Sequence, residues 1–164
     1  MNRHDDLTPD LCDQFEGALS VLDPGFASFG GHDCFHGEVV TIAAFEDNSL
    51  VRQWVAEPGD GRVLVVDGGG SLRRAMLGDQ LAQKAVDNGW EAIVINGCIR
   101  DAVQIEAMPI AVYALNTHPM KTEKLGAGQS QVPLRFAGVA IDPGHYMAGD
   151  INGLVVSSTP LLKR

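Results

Sequence analysis

With 164 residues, 45% hydrophobic and 20% charged, the chain can fill one core but not two comfortable ones. Its formal net charge of −9, from 21 acidic against 12 basic residues, repels phosphate backbones and argues against direct nucleic-acid binding. No apolar run approaches the roughly 18 residues of a membrane span, MNRHDDLTPD lacks the apolar segment of a secretory signal, and Cys12, Cys34 and Cys98 have no paired spacing, so free thiols and a cytoplasmic location are expected.

In chain order, Thr8-Pro9-Asp10 opens a short helix, with Thr8 as its cap, Pro9 at the first helical position, and Leu11 and Phe15 on one face. Asp23-Pro24-Gly25 and Gly30-Gly31 punctuate a turn-rich stretch. Residues 38–45 (EVVTIAAF) read as a strand. Asn48 then caps a helix with Leu50, Val51, Trp54 and Val55 as its apolar stripe, and PGDG at 58–61 stops it. Trp54 and Trp90 are expected as core or interface anchors.

The centre of the chain is a crossover unit. An apolar run at 63–66 ends at Asp67 and three glycines, and a second at 92–95 ends at Asn96-Gly97. Between them Asp79 caps a helix carrying Leu81, Ala85 and Val86, stopped at Gly89 in left-handed conformation. Strand, helix, strand is the pattern of parallel pairing. Beyond it, 110–115 is a strand and 118–128 a polar loop holding Lys121 and Lys124. Short strands at 134–136 and 139–141 precede the turn Asp142-Pro143-Gly144, and segments 146–148 and 154–156 flank a second turn at 150–153. The expectation is one mixed α/β domain spanning 1–164, with more strand than helix.

The chemistry should gather where the central helix begins and the following strand ends. Amides after Gly78 and Asp79, near Gln80 and Leu81, can hold a carboxylate at the helix N-terminus. Arg100 can grip the same carboxylate or a developing oxyanion. Asp101 is a hard oxygen ligand suited to Mg²⁺ or Mn²⁺. The plain structural alternative is that both aspartates cap helices and Arg100 pairs with one of them. Asp67-Gly68-Gly69-Gly70 lacks the Gly-Lys-Ser/Thr ending of a phosphate loop, so a turn allowing close backbone approach is expected there. His32, Cys34 and His36 resemble a fragment of a zinc site without its remaining ligands, and Cys98 reads as a buried small residue.

GDQLAQKAVDNGWEAIVINGCIRD closely resembles the signature of the RraA-like family, and FASFGGHDCFHGEVVTIAAFEDNSLV, GRVLVVDGGGSLRRAMLGD and PGHYMAGDINGLVVS resemble it too. The resemblance implies a swivelling β/β/α fold of stacked sheets and helices, assembled as a ring-shaped homotrimer. It implies either of two functions or both, with a trimeric scaffold carrying a vestigial site as the plainer alternative. Some members are class II aldolases that cleave 4-hydroxy-4-methyl-2-oxoglutarate to pyruvate and decarboxylate oxaloacetate with a divalent metal; others bind and inhibit ribonuclease E. The aldolases carry Asp, twenty residues, then Arg-Asp, which here is Asp79, Arg100 and Asp101. By the resemblance Asp101 holds the metal, Arg100 steadies the pyruvate enolate, and Asp79 with the amides near Gln80 and Leu81 lines the pyruvate pocket. Two departures accompany it: Gln104 stands where many aldolases have an acidic residue, and the chain ends at Arg164, before the C-terminal extension of the longer members.

Overall fold

The computed structural model describes residues 3–162. The first helix, α1 (Leu7–Gln14), is followed by two short strands, β1 (Ser20–Val21) and β2 (Ala27–Ser28), within the turn-rich stretch. Four strands and three crossover helices come next: β3 (Phe35–Ala43), α2 (Ser49–Val55), β4 (Val63–Asp67), α3 (Asp79–Asp87), β5 (Ala92–Ile99), α4 (Ala102–Glu106) and β6 (Ala111–Thr117). The chain ends in β7 (Gln129–Ser130), β8 (Leu134–Phe136), β9 (Val139–Ile141), β10 (Tyr146–Asp150) and β11 (Gly153–Ser157).

β3, β4, β5 and β6 lie side by side in parallel, as crossover connections require. β10, β11 and β1 extend this sheet antiparallel beyond β3, β2 closes its other side against β6, and β7 pairs with the far end of β3. The sheet is therefore mixed, with a parallel centre and antiparallel flanks.

Both faces of the parallel centre are buried, so its strands read as continuous apolar runs. Leu64, Val66, Ile93, Ile95 and Val112 pack against Val51, Val55, Ala82, Ala85 and Ile105 of the helices. On the other face Val63, Val65, Val94 and Tyr113 meet the β8–β9 hairpin through Leu134, Phe136, Val139 and Ile141. Met147 and Val156, from the antiparallel end, join the same cluster, so the sheet curls over its own face. A third cluster, Leu11, Tyr146, Ala148, Val155 and Leu161, seats α1 on β10 and β11.

The structure corrects several local expectations. Thr8 lies inside α1, after Asp6 at the cap; its N–H and hydroxyl each donate to Asp150, at 2.7 Å. Asn48 holds the cap position of α2 but makes no capping bond; Asp47 accepts from Ser49 N–H at 2.9 Å. Gly78, not Asp79, occupies the cap position of α3. Gly89 does take the left-handed conformation, φ +80°. β5 continues past Asn96-Gly97 because a bulge between Ile95 and Cys98 absorbs the irregularity and returns Cys98 and Ile99 to the ladder.

Candidate active site

Every one of the parallel strands β3, β4, β5 and β6 runs into a loop or helix start that reaches the same cleft. Asn48 and Arg52 follow β3; Ala75 and the run 78–81 with Lys84 follow β4; Arg100 and Asp101 follow β5; Lys121 and Lys124 follow β6. The cleft has a volume of about 360 Å³. In open α/β sheets ligands sit outside the carboxyl ends of the strands, because loops diverge there and leave a crevice.

At its floor, Asp101 Oδ2 accepts the Asp79 N–H at 2.9 Å. This bond satisfies one of the amides left open at the start of α3 and places a carboxylate at the positive end of that helix. Asp101 reaches there from a left-handed backbone, φ +57°, at the cap of α4. Aspartate tolerates this conformation better than most residues. The approach is possible only because residue 78 has no side chain: a Cβ on Gly78 would lie 2.7 Å from Asp101 Oδ2. Arg100 lies over the same glycine, with Nε 3.6 Å from that point, and its backbone N–H donates to Leu77 O at 2.9 Å. Its guanidinium makes a long contact to Pro119 O, 3.4 Å. Among the described residues Arg100 forms an ion pair with neither aspartate.

All six residues expected from sequence, Gly78, Asp79, Gln80, Leu81, Arg100 and Asp101, line this one cleft. The plain alternative is right in one respect, since an aspartate does cap a helix; it is Asp101 capping α3 rather than its own α4. Sequence reasoning missed Arg52, Lys84, Lys121, Lys124 and Asn48. With Arg100 the cleft carries five cationic side chains against the two carboxylates of Asp79 and Asp101, in a chain of net charge −9. The available signal was positional, in that each missed residue follows a parallel strand. Asn48 brings a further feature: its amide Oδ1 is buried and meets no donor. Such an acceptor calls for a donor from water or a ligand.

The other candidates have structural roles. The amides of Gly68 and Gly70 both donate to Asn96 O, and that of Gly69 donates to Asp67 Oδ1, so this turn has no N–H left for a phosphate. His32 contacts Arg3, whereas His36 Nδ1 meets the Tyr146 hydroxyl at 2.5 Å. They do not converge on Cys34, whose thiol is buried and pushed up to about 11 chiefly by desolvation. Burial likewise raises the Cys98 thiol. Trp90 is buried and donates to Glu57 O at 3.1 Å beneath Arg62, and the half-buried Trp54 packs against the helix-side core.

A family model described as RraA-like, Aldolase/RraA, matches residues 8–156. The chain belongs to the RraA-like family. A relative from Pseudomonas fluorescens strain SBW25 is 56% identical over 155 residues, covering 94% of this chain and 95% of its own, and carries the provisional name 4-hydroxy-4-methyl-2-oxoglutarate aldolase. A relative from Azotobacter vinelandii, also 56% identical and covering 94% of this chain and 96% of its own, bears the same provisional name. Among solved structures, the RNA-processing inhibitor RraA from Thermus thermophilis superposes with a TM-score of 0.91 at 42% identity, covering 95% of this chain and 94% of its own. A Geobacillus kaustophilus protein described as an S-adenosylmethionine:2-dimethylmenaquinone methyltransferase gives 0.93 at 48%, covering 96% and 98%. Such closely related folds under different names mean that function must be argued from the site.

Aldolase-type members imply a divalent metal, and the donor set of this RraA-like chain can be tested against it. No group of three or more His, Cys, Asp or Glu side chains converges among the described residues, so a closed protein cage is absent. Asp101, with one oxygen bonded to the Asp79 amide, has no partner for its second oxygen among the described residues. One carboxylate beside open space suits Mg²⁺ or Mn²⁺, which keep several waters and take few protein ligands; it does not suit structural zinc.

Proposed function

We propose that this chain is a class II, divalent-metal-dependent aldolase that cleaves 4-hydroxy-4-methyl-2-oxoglutarate to pyruvate and also decarboxylates oxaloacetate. One observation carries the reading: a helix N-terminus, Arg100 and the Asp101 carboxylate share a cleft lined by four further cations. Both substrates are 2-oxo acids with a second carboxylate. The α3 amides near Gln80 and Leu81 take the carboxylate next to the oxo group. Arg52, Lys84, Lys121 and Lys124 supply the positive field for the second.

Cleavage breaks the C3–C4 bond. The C4 hydroxyl loses its proton and becomes the carbonyl of one pyruvate, while the bonding pair remains on C3 as the enolate of the other. Arg100 stabilises that developing charge with its fork of donors. Asp79 is the group of this chain available to accept the hydroxyl proton. Asp101 would hold the metal, which supplies Lewis-acid polarisation of the 2-oxo group when bound. Decarboxylation of oxaloacetate yields the same enolate, so one arrangement serves both reactions.

The test is pyruvate release from each substrate with Mg²⁺, with a chelator, and in Arg100→Ala. Metal-dependent turnover that falls at least about a hundredfold in Arg100→Ala supports the reading. Undiminished turnover in that variant overturns it.

The likeness to an RNA-processing inhibitor favours a second reading, binding to ribonuclease E and inhibition of its cleavage. An acidic surface suits a basic, arginine-rich protein segment. Salt-sensitive co-purification unaffected by Arg100→Ala supports it, and no complex at low ionic strength overturns it. In either reading we take 1–164 as one RraA-like domain of the swivelling β/β/α type, located in the cytoplasm and assembled as a homotrimer.

A further inference from the structure

Loop 121–127 carries two of the cleft's cations and has little of its own to hold it. Of its residues only Thr122 is buried, and Leu125 is 77% exposed. Its start is joined to Ala75 by a parallel bridge at Lys121; what fixes the rest is Asp47, itself 2% exposed, in the β3–α2 connection. Asp47 Oδ2 accepts the Leu125 N–H at 2.7 Å and the Ala127 N–H at 3.3 Å, while Oδ1 accepts Ser49 N–H at 2.9 Å. Ser49 Oγ in turn accepts Gly126 N–H at 3.0 Å, and Asp47 forms a parallel bridge with Glu123. One carboxylate thus ties the start of α2, which bears Asn48 and Arg52, to the loop bearing Lys121 and Lys124.

We propose that Asp47 is a positioning residue for substrate selection, holding Lys124 on the cleft so that it prefers 2-oxo acids with a second carboxylate. The proposal rests on the cleft as read above. Asp47 touches neither substrate nor metal; it acts through the loop. A helix cap alone would need only the Ser49 bond, and the two bonds to Leu125 and Ala127 are what extend its reach.

The experiment uses the full chain with Mg²⁺ and measures binding of 2-oxoglutarate, a dicarboxylate without the scissile hydroxyl, and of pyruvate, which has one carboxylate. Wild type, Asp47→Ala, Asp47→Asn, Lys124→Ala and the Asp47→Ala/Lys124→Ala double variant are compared by calorimetry. Exchange of the Leu125 and Ala127 amides is followed by NMR. Asp47→Ala is expected to weaken 2-oxoglutarate roughly tenfold and pyruvate by less than about twofold. Both amides lose protection, Asp47→Asn recovers part of the affinity, and the double variant binds 2-oxoglutarate no more weakly than the weaker single. Equal weakening of both ligands, full additivity, or unchanged amide exchange overturns the proposal. So does a wild-type chain that does not prefer 2-oxoglutarate. If wild type shows the preference yet turns over neither aldolase substrate, the catalytic reading falls and the positioning role stands.

Discussion

Gly78 is the most exacting residue of the cleft, because the space its side chain would occupy belongs to the Asp101 carboxylate. Its φ of −126° is open to any residue, so Gly78→Ala should fold normally and still lose activity. The expected result is a melting temperature lowered by only a few degrees, from the lost cap on α3, with kcat reduced about tenfold or more, because Asp101 is displaced. Asp101→Asn separates two duties of that residue. The amide oxygen can still cap α3, leaving stability within about 1 kcal/mol, whereas an uncharged ligand should abolish metal-dependent turnover. That Asp79, Arg100 and Asp101 meet in one cleft was legible in the sequence because a helix start and a strand end are local signals, while their proposed roles came from the family resemblance. Arg52, Lys84, Lys121 and Lys124 were not, since a surface cation carries no such signal until the sheet order brings its loop to the cleft.

The elements share a device that sequence patterns miss. The first turns of α1, α2 and α3 each have a backbone N–H received by an aspartate: Asp150 for Thr8, Asp47 for Ser49 and Asp101 for Asp79. Two of these oxygens come from remote parts of the chain, which is why caps assigned to the nearest polar residue fell in the wrong place. Asp150 is 1% exposed and accepts from Thr8 N–H, Thr8 Oγ1 and Asn152 N–H. Asp150→Ala should therefore cost about 3 kcal/mol, measured by denaturant unfolding, with Thr8→Val costing about 1. Asp47 adds a pH dependence. Burial alone would raise its pKa, but hydrogen bonds from the Ser49 hydroxyl and from the amides of Ser49, Leu125 and Ala127 outweigh this and hold it below the ordinary 3.8. A depressed folded-state value stabilises the protein above pH 3.8, and that contribution disappears as pH falls through the lowered value. Asp47→Asn should be less stable than wild type at neutral pH, with the difference shrinking in acid.

For the whole molecule, the strand–helix–strand reading at 63–95 survives as part of the parallel centre, the β10–β11 hairpin turns at 150–153 where turn chemistry put it, and β8 and β9 fall on the two short strands expected. Hydrophobic periodicity and Gly/Pro/Asp turns are local signals, and these elements depend on nothing else. The curl that brings Met147 and Val156 over the same face as Val63 and Val65 is a long-range outcome with no local signature. Neither do β1 and β2, of two residues each, which are strands only because β11 and β6 offer them partners. The contrast between a cationic cleft and a net charge of −9 has a measurable result. Raising ionic strength from about 0.05 to about 0.5 M should raise KM for the dicarboxylate substrates severalfold and change kcat little, because screening weakens capture rather than chemistry.

The four loops that follow β3, β4, β5 and β6 divide labour from the sheet that carries them. The sheet and its two buried faces determine whether the chain folds; the loops supply the side chains that line the cleft. Changes at Arg52, Lys84, Lys121 or Lys124 touch no core cluster, so the molecule can alter its clientele while its architecture stays still. Yet the loops are not independent: Asp47 joins the one after β3 to the one after β6, and Asp101 joins the one after β5 to the start of α3, so a change in one loop is carried to its partner.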